Sequence, residues 1–354
     1  MAEMTSRERI LSACHRQAPD RVPRDIWLEE RVAQTLRQHL ATPDLRGALR
    51  MDIAGISPAP STLENNYSRY FTRPGVTWDE WGRGRIWDSD AHYAEYLYPL
   101  QTADTVDEIL AYPWPDLLEP YRYTGLAESV AGYQRLGYAV LGSLAETVFE
   151  IAWQLRSMER LFDDIVHNDE KAAVLLDHIT DRRVAAARAY ACAGVDVLHV
   201  GDDVAMQTGL LMSRKMWLQW FKPRLQRVIQ AAKEIKPEIV IQYHSDGKIN
   251  DLVPDLIAAG VEVLNPIQPE CVDHRWIKET YGSQIAFWGG LGVQSVLPFG
   301  TPDEVRQHTR TVIETLGAGG GLVIGPSHVI ERDTSLANIF AMLEAIDTYG
   351  NYKG

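Results

Sequence analysis

Cysteine is scarce in this chain: its 354 residues include only three, Cys14, Cys192 and Cys271. They are widely spaced and form no CxxC pair, which excludes a disulfide framework. No apolar run reaches the roughly eighteen residues a membrane helix needs. The N-terminal segment MAEMTSRERILSACHRQ mixes charges with apolar residues at helical spacing and lacks the apolar core of a signal peptide, so a cytoplasmic location is expected. Positive charge is also short. Against 48 Asp and Glu stand 35 Lys and Arg, a net charge of −13 that offers no general attraction to nucleic acid or anionic lipid. The expected partner is a small-molecule substrate. Low-complexity tracts, Pro/Ser linkers and fixed-period repeats are absent as well, which favours one domain over residues 1–354.

What the chain does contain is ordinary for a protein with a substantial core: 45% hydrophobic and 23% charged residues. From about residue 137 onward, short runs rich in β-branched residues alternate with long amphipathic stretches, the pattern of repeated βα units. The runs are Tyr138–Gly142, Asp196–Val200, Ile239–Tyr243, Val261–Leu264, Ile285–Trp288 and Gly321–Ile324, with two more upstream at Val22–Trp27 and Met51–Ser57. Helices are expected over Thr147–Asn168, Glu170–Cys192, Ser213–Ile235, Ile249–Ala259, Pro302–Leu316 and Leu336–Tyr349. Eight parallel strands with intervening helices close a barrel, so the fold class is α/β, a single (β/α)8 TIM barrel. Residues 64–100, crowded with Trp and Tyr, break this rhythm and are read as an aromatic-rich insertion. It lies over the barrel mouth, forms a subunit contact, or serves as a structural flap.

In such a barrel the chemistry is carried by residues just past each strand. Those residues form a polar set: Glu146 after YAVLG, Asp202 and Asp203 after DVLHV, and His244-Ser245-Asp246-Gly247 at the end of IVIQY. Beyond VEVL lie Asn265, Gln268 and Cys271, and His328 follows GLVI. His244 and Asp246, with His328 from the last strand, supply two imidazoles and a carboxylate suited to a divalent metal, and Cys271 offers a thiolate. The bland alternative is an Asp246 that only bonds the turn before Gly247. Asp202 and Asp203 admit three readings: a metal or substrate carboxylate, a general acid or base, or a helix cap. Glu146 is either catalytic or a partner of a helix dipole. Tyr243, Asn265, Gln268 and Arg24 are candidates for substrate contacts. His199 reads as a satisfied interior histidine, Cys14 and Cys192 as packing residues, and Trp217, Trp220 and Phe221 as a core helix face. The run Gly319-Gly320-Gly321 precedes a strand, whereas a phosphate loop follows one.

The segments YHSDG, NPIQPEC, FWGGLGVQSVLPFGTPDEV and GGGLVIGPSHVIERDTSLANI, with GDD and DEILAYPWPD, resemble the uroporphyrinogen decarboxylase superfamily over nearly the whole chain. The resemblance implies a (β/α)8 barrel, a homodimer, and either porphyrinogen decarboxylation or zinc-dependent methyl transfer involving corrinoid proteins and thiols. The decarboxylase holds its substrate carboxylates with N-terminal arginines. Here that region offers Arg24 followed by Glu29 and Glu30, which would repel such a substrate. The methyltransferase-like branch is therefore the expectation. That branch binds zinc through a His-x-Cys pair and a later Cys; His244 matches the first, Asp246 replaces the second and His328 aligns with the last. The implied cofactors are a divalent metal, with zinc first, and a corrinoid or folate methyl carrier. The expected activity is a metal-dependent methyltransferase or demethylase. The rivals are a metal-free decarboxylase with Asp202 or Asp203 as proton donor, and a non-catalytic barrel subunit that binds a corrinoid protein.

Overall fold

The computed structural model describes residues 3–63, 66–87, 94–117 and 119–352. Seven parallel strands form one sheet in sequential order: β1 (Ile53–Ile56), β2 (Ala139–Ala145), β3 (Val197–Gly201), β4 (Val240–His244), β5 (Val263–Asn265), β6 (Ala286–Leu291) and β7 (Leu322–Pro326). The position between β7 and β1 is taken by the segment around Arg24. Asp25 N–H donates to the Ile324 carbonyl at 3.0 Å, Ile324 N–H to that of Pro23 at 2.9 Å, and Asp52 N–H to that of Arg24 at 2.9 Å. The segment Val22–Trp27 is thus the closing stave, although it makes bridges rather than a regular strand. Pro23 has no N–H to give, and the Arg24 N–H goes to the Asp52 carboxylate.

Alternation along each strand sorts side chains between the barrel lumen and the helical layer. Val240 packs with Ile53, Ala139, Val197, Val263, Ala286, Trp288 and Val323, near the N-terminal ends of the strands. The helix Ser6–Cys14 plugs that end with Ile10, Ala13 and Cys14, and burial raises the Cys14 thiol pKa. Ile241 and Tyr243 face the other way, into the larger core beneath the helices. Cys192, in contrast, is exposed on its helix rather than packed.

Helix ends follow the chemistry of their residues. Thr301 and Glu304 form a reciprocal capping box on Pro302–Leu316, Ser335 caps Leu336–Tyr349, and Gly194 closes Glu170–Ala193 at φ 87°. Two long expected helices are each divided. Thr147–Asn168 becomes Phe149–Arg156 and Met158–Val166, because Ser157 takes φ 70° and its hydroxyl caps the second piece. That break lets the buried Arg156 guanidinium reach the carbonyls of Leu100 and Ala103 and the Asp164 carboxylate. Ser213–Ile235 divides into Arg214–Trp220 and Lys222–Lys233, where Pro223 interrupts the hydrogen-bond ladder.

The aromatic segment builds a separate three-stranded antiparallel sheet from Thr77–Trp78, Gly84–Ile86 and Glu95–Leu97. Residues 64–65 and 88–93 of it lie outside the described residues. From this sheet Arg83 reaches the end of β2, pairing with Glu146. Among the described residues, no helix is long and apolar enough to cross a membrane.

At the barrel mouth β3 and β4 approach so closely that only glycine fits at position 201. Its φ is 145°, and a Cβ there would stand 2.1 Å from the His244 carbonyl oxygen. Gly201→Ala is accordingly expected to lower the unfolding free energy by about 2–3 kcal/mol. An unchanged urea midpoint would contradict this packing.

Candidate active site

Because β4 points every second residue inward, Val240 at the lumen floor is followed by Gln242 and then His244 at the rim. Across from them, register pairs Gln242 with His199 and His244 with Asn265. His199 Nδ1 lies 2.6 Å from Gln242 Oε1, and burial followed by the neighbouring His244 lowers its pKa to about 4, so it is neutral at physiological pH. The rings of Trp27, His199 and His244 meet in a triangle with centroids 5.6–6.2 Å apart.

The orientation of His244 follows from a short chain of hydrogen bonds. The Trp288 carbonyl can only accept, so the Asn265 amide nitrogen faces it at 3.2 Å. Asn265 Oδ1 is therefore turned to His244 Nδ1 at 2.5 Å, which must donate. In neutral His244 this leaves the Nε2 lone pair directed outward, the arrangement found when a second-shell group orients a metal-binding imidazole.

Nε2 faces Asp203, whose Oδ1 is 3.6 Å away and accepts the Asp246 N–H at 2.8 Å. Potential ligand atoms of Asp203, His244 and Asp246 all lie within 4.8 Å of one another. The Asp246 pKa is raised, first by burial and then by Asp203 and Glu270, against the opposing pull of His244 and His328. A cation among these groups would relieve that repulsion, and their mixed oxygen and nitrogen donors suit a divalent ion. The converging set is two carboxylates and one imidazole, where the sequence suggested two imidazoles and one carboxylate. His328 is exposed outside that set, although its charge reaches Asp246; Cys271 is also nearby, and burial followed by Glu270 and Asp246 raises its thiol pKa.

The two adjacent aspartates have different tasks. Asp202 is buried and accepts the N–H groups of Val148 and Glu150 at 3.0 Å, capping the helix Phe149–Arg156. Its pKa is pushed to about 6 by burial, against the pull of those N–H groups. Asp203 turns into the mouth instead. Beside it is Glu150, unnoticed in the sequence: it accepts the Asp203 N–H at 3.1 Å, and burial with Asp203, Asp202 and Glu146 drives its pKa well up.

Other expected contacts fall elsewhere. Tyr243 is on the outer face of β4, opposite His244, with its hydroxyl on the Asp202 carbonyl, which removes it from the lumen. Arg24 is likewise directed away, buried in an ion pair with Asp347. Gln268 pins the turn after His244 by accepting the Gly247 N–H at 3.2 Å. Burial raises the Glu146 pKa, but Arg83 and Gln154 outweigh it and hold the carboxyl below its usual range.

Asp25, from the closing stave, also escaped sequence reading. It is 5% exposed and accepts the indole N–H groups of Trp27 at 2.7 Å and Trp288 at 3.2 Å. Burial pushes its pKa to about 6 despite those bonds. The unfolded chain therefore releases this proton near pH 4 and the folded chain near pH 6. Stability associated with the protonated form is lost as pH rises through that window. Relative to Asp25→Asn, the wild type should lose about 2–3 kcal/mol of unfolding free energy between pH 4 and 6. Parallel stability curves for the two proteins would contradict the shift.

A family model described as uroporphyrinogen decarboxylase (URO-D) matches residues 104–349. The methylated-thiol–coenzyme M methyltransferase of Methanosarcina mazei is 26% identical over 238 residues, covering 66% of this chain and 60% of that relative. The methylcobamide:CoM methyltransferase MtaA of Methanosarcina barkeri is 29% identical over 174 residues, covering 49% of this chain and 48% of the relative. The similarity therefore spans less than two thirds of either relative. A solved structure described as a methyltransferase from Methanosarcina mazei shares the fold, with TM-score 0.71 and 19% identity over 98% of this chain and 99% of that one. With more than half of its length matched by the family model, the chain belongs to the uroporphyrinogen decarboxylase (URO-D) family.

Proposed function

We propose that this protein is a metal-dependent small-molecule methyltransferase of the URO-D superfamily, with Asp203, His244 and Asp246 holding a divalent cation at the barrel mouth. The convergence of these three residues carries the reading. The methyltransferase names of the two relatives support the reaction class, and the corrinoid chemistry in one of those names supports a methylated corrinoid as the methyl carrier. When bound, the cation supplies Lewis acidity toward a substrate heteroatom. Two carboxylates lower its net charge compared with a two-imidazole set, and zinc, manganese and iron(II) all suit such donors.

The chain's own residues have separable roles. Asn265 fixes the ring of His244 so that Nε2 faces the cation position. Trp27 and His199 wall the lumen beneath it, with His199 kept uncharged. Glu150, beside Asp203 and with its pKa driven up by burial, is placed to donate a proton to a leaving group. Asp202 supports the adjacent helix and leaves proton handling to Glu150.

Calorimetric titration of chelator-treated protein with zinc and manganese should give one high-affinity site, absent in His244→Ala. Asn265→Ala should weaken it by about 10–100-fold. Methyl transfer from methylcobalamin to thiol, alcohol and amine acceptors, followed by the corrinoid absorbance, should stop on chelation and return with metal. Full turnover in metal-free protein, or an unchanged titration in His244→Ala, would defeat the proposal.

A further inference from the structure

A cavity of about 320 Å³ opens where the loop after β7 meets the start of the helix Glu30–His39. The two segments are stitched together in parallel: Glu29 N–H donates to the Ile330 carbonyl at 3.0 Å, and Ile330 N–H to that of Trp27 at 2.9 Å. Both follow the C-terminal ends of their staves. The cavity is lined by Arg31, Val32, Thr35, Arg332, Thr334 and Leu336. Arg31 and Arg332 are exposed, and neither guanidinium makes a hydrogen bond or ion pair among the described residues. Thr334 is only 7% exposed, yet its hydroxyl has no hydrogen-bond partner among the described residues and is not sealed off from the cavity.

Beside Thr334 begins the helix Leu336–Tyr349. Ser335 accepts its Asn338 N–H at 3.2 Å, but the N–H groups of Leu336 and Ala337 make no hydrogen bond among the described residues. The positive end of that helix is thus open where Leu336 lines the cavity. Neighbouring acids do not neutralise these donors. Glu29 is spent on the N–H groups of Arg31 and Val32, and Glu30 on Arg37 and Gln34; Glu331 and Asp333 are exposed and stay off the lining. Two guanidiniums, a hydroxyl and a helix N-terminus offer more donors than the two oxygens of a planar carboxylate readily accept. They suit a phosphate, which keeps three free oxygens even as a monoester. Val32 and Leu336 add apolar wall, and the space is larger than a phosphate alone fills.

We infer that this cavity binds the phosphate group of a small organic phosphate monoester, held by Arg31, Arg332, the Thr334 hydroxyl and the start of the helix Leu336–Tyr349. None of Asp203, His244 and Asp246 lines it, so the inference does not rest on a cation at the barrel mouth.

Phenyl phosphate, inorganic phosphate and phenol separate recognition of the anion from filling of the apolar wall. Each is titrated calorimetrically into metal-free full-length protein, so that no cation at the mouth can hold an anion and the result is independent of the metal titration. Phenyl phosphate should bind at least about tenfold more tightly than phenol. Inorganic phosphate should bind more weakly than phenyl phosphate, because it leaves the apolar wall uncovered. Arg31→Gln and Arg332→Gln, both at exposed positions, should each weaken phenyl phosphate at least about fivefold. Thr334→Val keeps the branched shape, removes the hydroxyl and should weaken it about threefold to tenfold. Equal affinity for phenyl phosphate and phenol, no binding of phenyl phosphate, inorganic phosphate binding as tightly as the ester, or binding unchanged in the arginine variants would overturn the assignment.

Discussion

The geometry of the barrel mouth depends on how His244 is held. Its Nδ1–H is committed to Asn265, and Asn265 is committed to the Trp288 carbonyl, so two hydrogen bonds across three neighbouring strands fix one imidazole. The barrel supplies the means: parallel register brings the end of β4 beside the end of β5, while alternation turns Gln242 and His244 to the same side. Without that anchor the ring could turn and Nε2 would have no defined direction. The nearby carboxylates would then be an unorganised acidic patch.

Around this histidine the acidic groups are kept close at an electrostatic cost. Burial raises the pKa of Asp25, Asp202, Asp246 and Glu150 alike. Asp25 is nevertheless hydrogen-bonded by two indoles and Asp202 by a helix N-terminus, while Glu146, paired with Arg83, is held below its usual range. Asp203 and Asp246 face each other across the position where a cation would serve both. This division separates residues that maintain the mouth from residues available to a ligand. It also explains why adjacent Asp202 and Asp203 are not interchangeable.

Much of the architecture was legible in the sequence because barrel strands are short apolar runs bounded by strong helix caps. All seven strands of the sheet overlap runs read from composition, and the Thr301 and Ser335 caps mark real helix starts. The closing stave was legible as a position but not as a set of bridges, since Pro23 and the Asp52 contact act only in three dimensions. At the site, strand-end placement singled out His244 and Asp246 along with His328 and Cys271, left Asp202 and Asp203 undecided, and could not assign directions. Tyr243 precedes His244 by one residue and points to the opposite face, while His328 follows its strand into solvent. Glu150 and Asp25 were missed because their importance comes from burial and neighbours rather than spacing.

The most direct test of the account is nitrogen NMR of the imidazoles, in chelated protein and after addition of zinc. The account predicts that neutral His244 carries its proton on Nδ1, and that zinc shifts Nε2 while the Nδ1–H bond to Asn265 persists. A proton on Nε2 in the metal-free protein, or zinc bound through Nδ1, would contradict it.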